Sequence, residues 1–220
     1  IFKFKTNNIK NKYKINEPVY SETQLKKQIK NLIGKDKNRI FLKSGIKNIE
    51  LKNNKYFFKI NKKTFSSDIV INATYEGCNG ISKNIGKTNN FEYQVTNIME
   101  INSKKFKSIG FALMDGPFFS FLPMGNKKNT QVLYHVTYSV LKKSLSDEIK
   151  YSWLKKNNVL RDNIKRSNSN TLKDLKKYFP SMDVKKIKKN YISSRVLLPR
   201  TKKTAKRISY LKENSKNYFE

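Results

Sequence analysis

His135 is the sole histidine of the chain, and so the only side chain whose ordinary titration falls near neutral pH. It sits in a strand-like run, Leu133-Tyr134-His135-Val136-Thr137-Tyr138. Two roles are open to it. It could contact a substrate or act as a base in a pocket lined by Tyr134, Tyr138, Phe118 and Phe119. Or it could be a packed, hydrogen-bonded core residue among ordinary strand aromatics. Asp115, beside Gly116-Pro117, reads most simply as a turn residue. The sequence shows no carboxylate pair, no Ser/His/Asp set and no cluster with metal-ligand spacing. A different kind of chemistry is suggested by Ile69-Val70-Ile71-Asn72-Ala73-Thr74-Tyr75-Glu76-Gly77. Three β-branched residues in a row predict a strand buried on both faces, as in a parallel sheet. Small residues follow at its carboxyl end, where open α/β sheets bind ligands. Asn72, Ala73 and Thr74 would let a cofactor phosphate approach the backbone. The plain alternative is a buried strand with a loop after it.

Elements must position these residues. Ser21-Glu22-Thr23-Gln24 has the form of a capping box. Leu25, Ile29, Leu32 and Ile33 then share one helical face, and Gly34 ends the helix. Residues 39–43, 46–51 and 56–60 read as short strands, with turns at Lys52-Asn53-Asn54-Lys55 and Asn61-Lys62-Lys63. Residues 78–90 read as a loop or short helix around Ile81. Strands are expected at 91–101, 109–114, 118–123, 131–140 and 190–198, and a last short one at 207–211. Short turns between successive strands imply an antiparallel sheet. Ser146-Asp147-Glu148 caps a predicted helix running to about Lys156, and another spans 171–179, ended by Pro180. Residues 1–5 alternate with lysine on one face and suit a sheet edge.

The order of these signals resembles the middle of FAD-dependent oxidoreductases of the D-amino-acid-oxidase type, the relatives of glycine oxidase and sarcosine oxidase. The residues that carry the resemblance are the Asp68-to-Tyr75 strand and loop, Met114-Asp115-Gly116-Pro117-Phe118, Leu122-Pro123, the run 133–139 and Tyr178-Phe179-Pro180. The resemblance implies a mixed α+β or α/β chain. Part of a Rossmann-like FAD-binding domain (1–85, with 1–16 open to being an edge strand of the substrate domain) would precede an inserted, mainly antiparallel β-sheet substrate domain (86–198) with flanking helices. Residues 199–220 would return toward the FAD domain. It implies FAD as cofactor and hydride transfer to the flavin from an amino acid or a similar small amine or hydroxy substrate. Ile46 matches the family position whose backbone meets the adenine. Asn72, Ala73, Thr74 and Tyr75 match the loop near the pyrophosphate or ribose, with Tyr75 where many relatives have glycine. The family anchors a substrate carboxylate on an arginine, and Arg195 and Arg200 are the nearest matches. The family's G-x-G-x-x-G turn is absent, so the chain reads as an internal piece of a longer flavoenzyme, weak or inactive in binding FAD alone.

Composition bounds the alternatives. The 220 residues carry a formal net charge of +32, which admits a second reading as a lysine-rich nucleic-acid or polyanion-binding protein. The excess is nearly all lysine, spread along the chain, with arginine only at 39, 161, 166, 195, 200 and 207. Readers of bases and phosphates favour the arginine fork. Abundant Asn and Ile beside Lys point instead to A/T-biased coding, with non-specific sticking to polyanions as its consequence. A third reading is a flavoprotein-derived interaction module that has lost chemistry. The single cysteine, Cys78, fits a reducing, cytoplasmic setting, and no apolar run has the length of a membrane span.

Overall fold

The structure, a computed structural model, describes residues 9, 11–35, 40–46, 48–86, 88–103, 106, 109–114, 118–125, 127–180, 182, 184, 186–199 and 213–219. The chain mixes helix with largely antiparallel sheet, in two compact units. One comprises Ile1–Asn38, Val95–Lys142 and Trp153–Ser193, and the other Arg39–Gln94, Lys143–Ser152 and Ser194–Glu220. No described helix is long and apolar enough to cross a membrane.

In the second unit, β1 (Ile49–Lys52), β2 (Lys55–Ile60) and β3 (Lys63–Ser67) form an antiparallel meander. Its two hairpins are written locally. Asn53 and Asn54 have φ of 49° and 60°, and Asn61 and Lys62 have 47° and 69°. Paired left-handed residues match the twist of the flanking strands. The cross-strand row Ile49–Phe58–Phe65 lies on the face that packs with buried Tyr56 and Tyr218. The strand expected over 39–43 does not form in its described part. Residues 42–43 make a turn, because Lys43 adopts φ 55° and breaks the extended path. Conversely, β3 was not expected from the sequence.

The Ile69-Val70-Ile71 strand shrinks to β4 (Val70–Ile71). It pairs in parallel with β12 (Tyr218–Phe219), Tyr218 opposite Val70 and Phe219 opposite Ile71, and β12 pairs antiparallel with β11 (Glu213–Ser215). Burial on both faces is not found: Ile69 is 56% and Ile71 65% exposed. They alternate with half-buried Val70, so one face of β4 is open. After it come a 3-10 turn, Tyr75–Gly77, and the short helix α2 (Cys78–Ser82), where a short helix around Ile81 was expected.

In the other unit, Ser21 caps α1 (Glu22–Lys35), its Oγ accepting from the Gln24 N–H at 3.4 Å. A six-stranded sheet runs β10-β5-β8-β7-β6, with β9 also on β5; residues 91–94 of β5, 143–146 of β9 and 194–197 of β10 belong to the second unit. Its strands are β5 (Phe91–Asn102), β6 (Phe111–Ala112), β7 (Phe119–Pro123), β8 (Thr130–His135), β9 (Val140–Ser146) and β10 (Ile187–Leu197). Met99, Ile101, Phe119, Phe121 and Leu133 make the core, against Leu175 and Phe179 at the end of α3 (Asn158–Tyr178). α3 begins well before residue 171. Asn157 Oδ1 accepts the Leu160 N–H at 2.8 Å as its cap. Its buried positions are Leu160, Ser167, Thr171, Asp174 and Leu175, a stripe with helical spacing but largely polar residues. The helix expected from Ser146 is replaced by the end of β9 and a 3-10 turn over Tyr151–Leu154. Ser146 Oγ donates to the Glu148 carbonyl, so it caps nothing. Residues 1–5 and 207–211 lie outside the described residues.

Candidate functional site

The loop after β4 is built around Asn72, which is buried. The ladder carries it, its N–H donating to the Phe219 carbonyl at 2.7 Å. Its amide nitrogen faces three acceptors, the Cys78 carbonyl at 2.9 Å, Ser82 Oγ at 3.2 Å and Tyr218 Oη at 2.7 Å. Its Oδ1 accepts from Thr74 Oγ1 at 2.6 Å and from the Thr74 N–H at 3.3 Å. The side chain therefore ties β4, α2 and β12 together and is spent on protein partners. Ala73, Thr74 and Tyr75 are exposed. These residues fit a cofactor that approaches the backbone at Ala73 and Thr74. They do not fit one held by the Asn72 amide. Tyr75 takes the left-handed conformation, φ 57°, and its hydroxyl accepts from the Val196 N–H at 3.1 Å.

Ile46 is half-buried in the loop before β1. Its neighbours Gly45 and Asn48 rim a groove of about 660 Å³ on the outer face of the meander, floored by Glu50, Phe57, Lys59 and Thr64. The register explains this floor: Glu50 pairs with Phe57 and Lys59 with Thr64, so all four share one face.

Arg195 lies on β10. Its Nε and Nη2 both donate to Gln94 Oε1, at 3.2 and 2.6 Å, and Gln94 in turn donates to Glu92 Oε1. Arg200 lies outside the described residues. His135 belongs to the other unit and is fully buried. Its Nδ1 accepts the N–H groups of Thr137 and Tyr138 at 3.1 and 3.2 Å. Nδ1 is therefore unprotonated, and Nε2 carries the hydrogen and donates to Asp174 Oδ2 at 3.1 Å. Burial alone would raise the Asp174 carboxyl, but hydrogen bonds from Lys177 and His135 together lower it below its ordinary value. The His135 backbone N–H also donates to Ser139 Oγ at 2.9 Å. The histidine thus builds the turn between β8 and β9, with the Tyr138 ring 4.4 Å from its own. Phe119 is core. The sequence did not reveal Asp174, because 39 residues separate it from His135; its spacing from Lys177 was the one local sign.

A second acid cluster was also not anticipated. Glu100 on β5 is buried and accepts from Lys127 at 2.9 Å and from the Tyr191 hydroxyl, with Lys188 3.4 Å from its other oxygen. The Tyr191 hydrogen bond, with help from Lys127 and Lys188 and against burial, brings its pKa down to about 2. Among the described residues no group of His, Cys, Asp and Glu could hold a metal.

No family model and no curated protein matches the chain. Among solved structures it is similar to glycine oxidase from Geobacillus kaustophilus, with a TM-score of 0.52 and 10% identity over 80% of this chain. NikD, an unusual amino acid oxidase essential for nikkomycin biosynthesis, gives 0.48 and 10% over 70%. The fold is therefore shared with an oxidase. The chain spans 41% of the glycine oxidase and 39% of NikD.

Proposed function

We propose that this chain is part of an FAD-dependent oxidoreductase of the D-amino-acid-oxidase type, acting on an amino acid or a similar small amine. The observation that carries the reading is the fold shared with glycine oxidase over 80% of the chain, reached independently of the sequence motifs. In this reading residues up to about 85 belong to the FAD-binding domain, 86–198 to the substrate domain, and 199–220 return to the first. Support for the return comes from the parallel pairing of β12 with β4. FAD, when bound, supplies the acceptor for the hydride leaving the carbon next to the amine. The chain's own residues would hold and orient. Ala73 and Thr74 offer small side chains at a strand's carboxyl end, where a pyrophosphate can reach the backbone. Arg195 is bonded to a neutral amide oxygen, and a substrate carboxylate makes a pair about twice as strong as such a bond. Gln94 would then hold the guanidinium in place until substrate arrives.

The test uses the product of the whole reading frame that contains this chain. Titration with FAD should quench flavin fluorescence saturably, and anaerobic addition of glycine or of D- or L-amino acids should bleach the flavin absorbance. Failure to bind flavin, or binding with no amine able to reduce it, would sink the proposal.

A further inference from the structure

Tyr75 is an aromatic residue in a conformation that L side chains with bulk rarely adopt, φ 57°. Such a conformation persists when neighbours over-determine it. Here the neighbour is known: the Tyr75 hydroxyl accepts the Val196 N–H across 121 positions of sequence. β10 ends the strand order of the six-stranded sheet, pairing with β5, so its other edge needs partners from elsewhere. Tyr75 supplies one of them, beside Arg195. The same phenol is over half exposed, so packing does not account for its placement.

We propose that Tyr75 is a positioning residue, whose hydroxyl straps the Ala73–Thr74 loop to the strand that carries Arg195. The inference rests on the flavoenzyme reading for its consequence, since it joins the segment offered to the cofactor with the segment offered to the substrate. The strap itself is independent of any ligand. When the hydroxyl is removed, Tyr75 loses the contact that holds it left-handed. The loop then relaxes, and the small residues at 73 and 74 no longer present the backbone in one arrangement. In this chain the phenol does by anchoring what glycine at that position would allow by lacking a side chain.

The experiment is Tyr75→Phe in the full-length protein, with two readouts. Amide hydrogen exchange at Val196 should accelerate about fivefold or more, the loss of one ordinary hydrogen bond. The Asn97 amide of β5, bonded to the Ser139 carbonyl of the turn between β8 and β9, should exchange unchanged and report an intact fold. Fluorescence titration should show FAD bound about fivefold more weakly. Unchanged exchange at Val196 would overturn the strap. Faster exchange with unchanged FAD affinity would reduce Tyr75 to a structural contact and overturn the positioning role. A wild-type protein that binds no FAD would overturn the flavoenzyme reading, and the positioning role with it, while the exchange readout still reports the strap.

Discussion

Protonating Glu100 would remove the charge that Lys127, Lys188 and Tyr191 gather around. Its pKa of about 2 lies below the ordinary 4.5. The folded state therefore gains from this group at pH values above 4.5, and that gain is lost as pH falls from about 4.5 to about 2. The difference is on the order of 3 kcal/mol. Glu100→Gln should be destabilised at neutral pH and should show a flatter loss of stability below pH 4.5, read from urea midpoints at pH 7 and pH 3. Equal acid sensitivity in both proteins would contradict the cluster's role. His135 makes a second case. His135→Phe keeps a ring but leaves the Thr137 and Tyr138 amides and the Asp174 carboxylate without their partner. It should cost about 3 kcal/mol. Asp174→Asn still offers an oxygen to Nε2–H and loses mainly the contact with exposed Lys177, so it should cost about 1 kcal/mol or less. Denaturation midpoints in the reverse order would argue that the histidine is not the turn's organiser. These two cases also mark what sequence could not supply. His135 was visible as a residue with two possible roles. What decides between them is an acid on α3 and two amides of its own turn.

The elements whose causes are local were legible in the sequence. Ser21 caps α1, the meander turns fall on Asn53-Asn54 and Asn61-Lys62, and β5 occupies its alternating run. Elements with distant causes were not. β4 was identified by its β-branched run, but its partner β12 lies 148 positions away, and its exposed face contradicts the burial that the run implied. The first half of α3 was invisible because its buried positions are only Leu160 and Ser167, too few apolar residues to mark a helical face. β8 and β9 read as one strand in the sequence because the turn between them, 136–139, contains no Gly, Pro or Asn and is held by a histidine instead. The meander offers a test at this scale. Lys62 adopts φ 69° on the exposed β2–β3 turn, a conformation that costs a β-carbon-bearing residue about 1 kcal/mol. Lys62→Gly should therefore raise the thermal midpoint, since glycine enters that region freely and Asn-Gly favours this turn. A lowered midpoint would mean the lysine side chain contributes more than its backbone costs.

At the scale of the whole molecule, charge and exposed apolar surface pull in different directions. Leu25, Ile29 and Leu32 on α1 form the apolar stripe that the sequence places on one helical face, and they are exposed, as are Ile69 just before β4 and Ile71 on it. A net charge of +32 opposes self-association through such faces by repulsion, and salt screens that repulsion. The same charge attracts polyanions, and here the lysine excess makes a discriminating expectation. Lysine ammonium groups act as point charges on phosphates, while sequence is read mainly by forks and amides directed at base edges. Binding to duplex DNA should therefore weaken linearly in log K against log salt, with equal affinity for unrelated sequences. Charge-neutralising Lys→Gln changes on exposed positions such as Lys26, Lys27 and Lys30 should flatten that slope and leave flavin binding unchanged. A marked preference for one sequence, or loss of flavin binding with those lysines, would move the polyanion surface from a by-product of composition to the centre of the protein's function.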